Sequence, residues 1–131
     1  MNGKIRIVDY NTGYHMPSIK DLDEVTNTAG HHEGYFLQAF LYSYAVLQQD
    51  KPQQPIVPAL FYPGKAYRED YNPILSIGKE EIADFAPLAD AFYQGLTQVI
   101  RQIFSPDCHF TQTPERKDCT NCDFKLLCGR G

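Results

Sequence analysis

The chain has 131 residues, of which 43% are hydrophobic and 13% aromatic, and its formal net charge is −4 at pH 7. This composition predicts one folded domain rather than a disordered chain. The negative charge argues against a protein that coats nucleic acid by bulk electrostatics, but it allows a local phosphate-binding site. No apolar run approaches the roughly 20 residues of a membrane span, and no signal peptide is evident. We therefore expect a cytoplasmic protein with no membrane partner.

The stretch 4–13 has the alternation of a β-strand that ends at a Thr-Gly turn. This alternation places Ile5, Ile7 and Asp9 on one face of the strand. A strand that carries a carboxylate to its own end is a good framework for a metal site, because the sheet holds the acid rigidly. The alternative is a surface strand that ends in a solvated aspartate.

Residues 14–34 contain a proline, two glycines and three histidines, and we predict mostly loop there. The histidines are His15, His31 and His32. They lack the spacing of metal ligands, so solvated loop histidines are the simpler interpretation.

The clearest predicted helix spans Glu33–Gln49, and it is apolar nearly all round. Such a helix is expected to pack on several sides. Gln38 and Tyr42 lie four residues apart, so their polar ends share one face. A glutamine in an apolar helix needs hydrogen-bond partners, and a satisfied core amide is the simplest interpretation of Gln38.

Two more strands are predicted, at 55–62 and 74–77, and Pro58 indicates that the first is an edge strand or starts late. A second helical region is predicted to begin near 79–81, with its main helix at 88–104. The order β, α, β, β, α predicts an α/β fold in which helices pack against a mixed β-sheet.

After residue 105 the composition changes, and the segment 107–131 holds all four cysteines with few residues for a core. Cys119 and Cys122 form a CxxC pair and Cys128 follows six residues later, a spacing that suits one metal ion or iron–sulfur cluster. Cys108 is either the fourth ligand or an unrelated thiol. In a reducing compartment, cysteines are ligands or free thiols before they are disulfides, and no βαβ pattern favours a redox CxxC.

Three motifs together resemble PD-(D/E)xK nucleases of the RecB/AddB exonuclease type. Residues 7–13 resemble their "(I/V)VDYKTG" strand, and 38–42 resemble the QxxxY helix that follows it. Residues 119–128 resemble the C-terminal cysteine cluster of AddB-like members, which holds a 4Fe–4S cluster with one cysteine from upstream of the core. The resemblance implies a restriction-endonuclease-like core, truncated at its N-terminus, over residues 1–106 and a Cys-rich tail over 107–131.

The resemblance also assigns roles to single residues. Asp9 is implied as the acid of the (D/E)xK pair and as a ligand of Mg²⁺ or Mn²⁺, together with the backbone carbonyl of Tyr10. In the family such a metal ion polarises a phosphodiester and supplies a bound water. Asn11 stands at the position of the catalytic lysine, and Gln38 and Tyr42 are implied to orient the site or touch the substrate backbone.

The sequence departs from the family pattern at two points. Asn11 is neutral, so it supplies neither a cation nor a proton-transfer group. The family's other acids lie upstream of the Asp9 strand, and we expect this chain to be the C-terminal portion of something longer. The fourth cluster cysteine of the family also lies upstream, unless Cys108 replaces it.

The function implied is DNA processing in recombination or repair, with a helicase subunit or domain as partner and with weak or absent hydrolysis. The first alternative is a non-catalytic, metal-stabilised module that binds DNA or protein. The second is a zinc knuckle on an unrelated α/β domain. The strand of Asp9 is expected to expose an edge, which predicts self-association of the chain.

Overall fold

The computed structural model describes residues 3–13, 17–27, 33–109 and 111–130. Its helices and strands are, in chain order, β1 (Ile5–Tyr10), α1 (Asp23–Thr26), α2 (Gly34–Asp50), β2 (Ile56–Phe61), β3 (Ser76–Ile77), β4 (Glu80–Glu81) and α3 (Ala89–Phe104). Helices flank two small sheets, so the predicted α/β class is confirmed. Within the described ranges, no helix is long and apolar enough to cross a bilayer.

The strands β1 and β2 form a parallel pair, and α2 makes the crossover between them. The pair is in register from Ile5 opposite Ile56 to Tyr10 opposite Phe61. Parallel strands point the same way, so their carboxyl ends lie at one edge of the molecule. The end of β1 that carries Asp9 therefore lies beside the end of β2.

Only one edge of β1 is paired in the described part of the chain. The backbone N–H of Ile5 donates to Pro55, and that of Asn11 donates to Phe61, both at 2.9 Å. Backbone direction alternates along a strand, so the even positions of β1 direct their N–H and C=O groups to the opposite edge. These positions are Arg6, Val8 and Tyr10.

Pro58 predicts an edge strand, and β2 is indeed the last strand of the two-stranded sheet. Its outer edge is nevertheless covered, because residues 73–75 run antiparallel along it. The N–H of Leu75 donates to the Pro58 carbonyl at 3.1 Å. Pro58 has no N–H to return, and the N–H of Ile82 donates to the Leu75 carbonyl at 2.9 Å instead. The proline is tolerated because a third segment satisfies the acceptor.

The predicted helix start near 79–81 is wrong. Glu80–Glu81 is the strand β4, which pairs antiparallel with β3. Gly78 lies between the two strands with φ +61°, a conformation that glycine adopts without strain. Two acids suit a first helical turn, but the left-handed glycine before them closes a hairpin.

The core lies between the sheet and the two long helices. Phe40 of α2 is at its centre, with ring centroids 5.8, 5.2 and 5.7 Å from Phe36, Phe85 and Phe92. Tyr62, just after β2, belongs to the same cluster and is only 1% exposed. The opposite side of α2 remains in solvent, so this helix packs on one broad face rather than on several.

Candidate functional site

Asp9 lies at the carboxyl end of the parallel pair and faces the helix α2. It is in register with the buried Leu60, and aligned residues of parallel strands project to the same side. Ile7, two residues earlier, packs against the core on that side. Asp9 itself is half-buried, so its carboxylate is placed at the rim of the sheet as predicted.

Sequence reasoning missed the buried acid Glu33, which precedes the first residue of α2 and is 6% exposed. Glu33 affects the pKa of the neighbouring Tyr62 phenol. Burial raises the pKa of Tyr62, and the charges of Tyr35, Tyr71, Glu33 and Asp9 raise it further. Two carboxylates from different elements thus act on one buried tyrosine. The available signal was an acid directly before a strongly apolar helix.

The Tyr62 hydroxyl is buried and has no hydrogen-bond partner among the described residues. The ammonium of Lys65 lies over the Tyr62 ring, 5.5 Å from its centroid. Tyr71 behaves differently, because its hydroxyl donates to the Leu60 carbonyl at 2.9 Å and accepts from the Tyr62 N–H at 2.6 Å. A buried hydroxyl without a partner costs free energy, so the Tyr62 hydroxyl is expected to destabilise the folded state.

Asn11, two residues after Asp9, forms part of a turn. Its side-chain carbonyl accepts a hydrogen bond of 2.8 Å from the backbone N–H of Gly13. This is the bond by which Asx residues close turns in place of the backbone. Asn11 therefore has a local structural role in addition to its place beside Asp9.

The two predicted metal-binding groups of β1 belong to adjacent residues at the end of the strand. The Asp9 side chain is on the face of the sheet, whereas the Tyr10 carbonyl is directed to the unpaired edge. The Tyr10 ring is exposed and lies edge-on to Phe61, with centroids 5.5 Å apart.

Gln38 and Tyr42 meet on one face of α2, as their spacing predicts. The Gln38 Nε2 donates to the Tyr42 hydroxyl at 2.8 Å. Both side chains are exposed, so the interpretation of Gln38 as a core amide is wrong. The reason is that α2 buries the stripe containing Phe36 and Phe40, and Gln38 lies beside it. Among the hydrogen bonds of the described ranges, none joins this pair to Asp9.

The tail carries its cysteines on successive short turns. The N–H of Cys122 donates to the Cys119 carbonyl at 3.2 Å, so the CxxC pair forms a tight turn. The N–H of Cys128 donates to Phe124 at 3.0 Å. All four thiols are free. Cys119 and Cys122 are half-buried, whereas Cys108 and Cys128 are exposed.

Neither predicted metal centre is assembled in this arrangement. Across residues 3–13, 17–27, 33–109 and 111–130, no three His, Cys, Asp or Glu side chains form a group that could hold a metal ion. Asp9 alone offers too few oxygen ligands for Mg²⁺, which needs near-octahedral coordination. The three tail thiols do not converge either. His15, His31 and His32 lie outside the described residues.

A family model described as the PD-(D/E)XK nuclease superfamily matches residues 1–129. The chain belongs to the PD-(D/E)XK nuclease superfamily. No curated protein and no solved structure matches it. This match spans both the core and the cysteines, so the α/β domain that carries the cysteines is a nuclease-superfamily domain rather than an unrelated one.

Membership of the PD-(D/E)XK superfamily indicates the general chemistry of this arrangement of residues. Nucleases of this group typically use divalent metal ions, and DNA is the implied substrate. The α/β layers described above are consistent with a restriction-endonuclease-like fold. In this PD-(D/E)XK chain, Asp9 is the carboxylate at the strand end and Asn11 stands two residues beyond it.

Proposed function

We propose that this chain is a RecB/AddB-like DNA-processing domain of recombination or repair, associated with a helicase subunit or domain, whose own hydrolysis is weak or absent. The observation that carries the proposal is the Asn11 amide, which stands at the lysine position and is bonded to Gly13 at 2.8 Å. A lysine there offsets the negative charge that develops on a phosphate during hydrolysis. A neutral amide committed to a turn does not.

The remaining site residues keep supporting roles in this proposal. Asp9 is the inherited metal-binding acid, and the Tyr10 carbonyl is its inherited backbone partner. Gln38 and Tyr42 present two exposed polar groups joined by a 2.8 Å bond, which suits contact with a nucleic-acid backbone. One carboxylate at the end of β1 is too few for a Mg²⁺ site. The described residues therefore suit contact with DNA better than catalysis of its hydrolysis.

A nuclease assay tests the proposal directly. The full chain is incubated with single-stranded and double-stranded DNA in Mg²⁺ or Mn²⁺, next to Asp9→Ala and Asn11→Lys. We expect wild-type cleavage at the level of Asp9→Ala. Robust wild-type cleavage that disappears in Asp9→Ala contradicts the proposal. Metal-dependent cleavage by Asn11→Lys places the defect at this one position.

The second candidate is a non-catalytic, metal-stabilised module that binds DNA or protein. The use of Asn11 as a turn residue favours it, because the position then serves the fold rather than the chemistry. Cleavage by Asn11→Lys separates the two, and fluorescence anisotropy with labelled DNA measures DNA binding. Binding weakened by a joint Gln38→Ala and Tyr42→Phe change, with no cleavage in Asn11→Lys, supports the module.

We propose that the tail cysteines bind a 4Fe–4S cluster, with Cys119, Cys122 and Cys128 as ligands and Cys108 as the fourth. The tight CxxC turn supports this, and the same thiols suit zinc as the alternative. Metal analysis with a visible spectrum decides. A brown protein with iron supports the cluster, and a colourless protein with stoichiometric zinc supports the alternative.

We also propose self-association through the free edge of β1. Three successive even positions direct N–H and C=O groups to that edge, and unpaired edges recruit strands. Light scattering across a concentration series tests this. A monomer at high concentration contradicts it.

A further inference from the structure

Gln112 joins two distant points of the tail. Its Nε2 donates to the Cys128 carbonyl at 2.8 Å, and its Oε1 accepts from the Arg130 Nε at 2.9 Å. These bonds link positions 16 and 18 residues apart. The other side-chain bonds of the tail, such as that from Lys125 Nζ to the Thr120 carbonyl, span five residues or fewer.

Both partners of Gln112 are themselves fixed by the backbone. The N–H of Cys128 donates to the Phe124 carbonyl at 3.0 Å, and the Gln112 amide donates to the Cys128 carbonyl. Both backbone polar groups of Cys128 are therefore bonded. The N–H of Arg130 donates to the Lys125 carbonyl at 2.7 Å. Gly129 between them adopts φ +65°, the left-handed conformation with which glycine closes a helical turn. The Gln112 amide therefore bonds to a turn that backbone hydrogen bonds also stabilise.

Apolar packing does not hold this loop closed. Phe124, Leu126 and Leu127 are 66%, 79% and 86% exposed. Closing a loop costs chain entropy, and something must offset that cost. In the described tail, the two bonds of Gln112 are the side-chain bonds that span the stretch containing Cys119, Cys122 and Cys128.

We propose that Gln112 and Arg130 form a latch that closes residues 112–130 and fixes the Cys128 backbone within the loop that carries Cys119 and Cys122. Gln112 is then a positioning residue for the third thiol. This second step rests on the cysteine site proposed above, whereas the latch itself does not. An amide suits the task because it donates and accepts at once, which a carboxylate does not.

The first test needs no metal. Hydrogen–deuterium exchange is measured over residues 124–130 in the full chain and in Gln112→Ala, Gln112→Glu and Arg130→Ala. Thr111→Ala is the control, since this exposed neighbour makes none of the latch bonds. We expect exchange about tenfold faster in Gln112→Ala, which loses both bonds, and a smaller increase in Arg130→Ala, which loses one. A double variant that combines Gln112→Ala and Arg130→Ala should exchange no faster than Gln112→Ala alone, because the Arg130 bond is then already lost.

Gln112→Glu refines this test. It keeps an acceptor for Arg130 but cannot donate to the Cys128 carbonyl, so its exchange should be intermediate. Wild-type exchange in Gln112→Ala, or additive effects in the double variant, overturns the latch. A melting curve for each variant confirms that the core remains folded.

The second test separates the latch from the cysteine site. Iron and zinc per chain are measured after reconstitution, together with the rate of metal loss to a chelator. Faster loss in Gln112→Ala, partly restored in Gln112→Glu, supports the positioning role. Unchanged loss in Gln112→Ala overturns it. A wild-type chain that binds neither metal overturns the cysteine site and the positioning role, while the exchange result still decides the latch.

Discussion

The side-chain carbonyl of Asn11 lies 2.8 Å from the backbone N–H of Gly13 and accepts its proton. A lysine has no acceptor for this bond, so the Asn11 side chain stabilises the turn in a way that a lysine at the same position would not. Restoring the lysine in the nuclease assay also removes the turn bond.

We predict that Asn11→Ala lowers the free energy of unfolding by about 1 kcal/mol, the value of one hydrogen bond. Asn11→Ser, whose hydroxyl closes a similar turn, should lose less. Urea denaturation with each variant measures the difference. Equal losses for the two variants contradict a turn-forming role of the side chain.

Tyr62→Phe is predicted to raise the free energy of unfolding by about 1 kcal/mol, because it removes a buried hydroxyl without a described partner. Tyr71→Phe is the matched control, since its hydroxyl makes two hydrogen bonds. It should lose about 1–3 kcal/mol. The same urea experiment compares them. A destabilised Tyr62→Phe means that this hydroxyl is satisfied in solution.

The raised pKa of Tyr62 also predicts a dependence on pH. The folded state holds the phenol proton more tightly than the unfolded chain, whose tyrosines titrate near pH 10. Stability is therefore fully present below pH 10 and falls as the pH rises through the folded pKa. Denaturation of wild type and Tyr62→Phe at pH 8 to 11 checks this. The difference between the two should move in favour of Tyr62→Phe above about pH 10.

Gly95→Ala is predicted to destabilise the packing of α3 against α1. A Cβ at Gly95 would collide with the Thr26 Oγ1. We expect a loss of about 1–3 kcal/mol from overpacking, more than the roughly 1 kcal/mol gained in helix propensity. Thermal denaturation measures it, and the joint Thr26→Ala change should restore stability. Gly34→Ala is the control, because nothing lies within 4 Å of its Cβ position.

Periodicity predicted the long elements well. The strand β2 and the helices α2 and α3 lie within one residue of their predicted bounds, and β1 lies inside the predicted stretch 4–13 but ends three residues earlier. Each owes its position to a pattern that a single segment contains, which is an alternation or an apolar stripe. The hairpin at Glu80–Glu81 was missed because its decisive residue, Gly78, acts through a backbone angle rather than through hydrophobicity.

The site was harder to predict, because its features depend on pairs of distant residues. Glu33 is buried only once α2 has packed beside the end of β2. Gln112 forms hydrogen bonds with Cys128 and Arg130, which lie 16 and 18 positions away, and no local sequence pattern predicts these bonds. Gln38 is exposed because α2 buries the neighbouring stripe that contains Phe36 and Phe40. Local spacing identifies such residues, but tertiary packing decides what each of them touches.

The hydrogen bond from Ile82 to Leu75 limits where this fold accepts inserted sequence. The Ile82 N–H donates to the Leu75 carbonyl, which Pro58 has no N–H to reach. The spacing between Leu75 and Ile82 must therefore be kept. A peptide inserted into β3 or β4 would shift the pairing that holds this donor and acceptor together and would disturb the covered edge of β2. Residues 66–70 are exposed and lie outside these bonds. A fluorescent label or an affinity tag is best placed there.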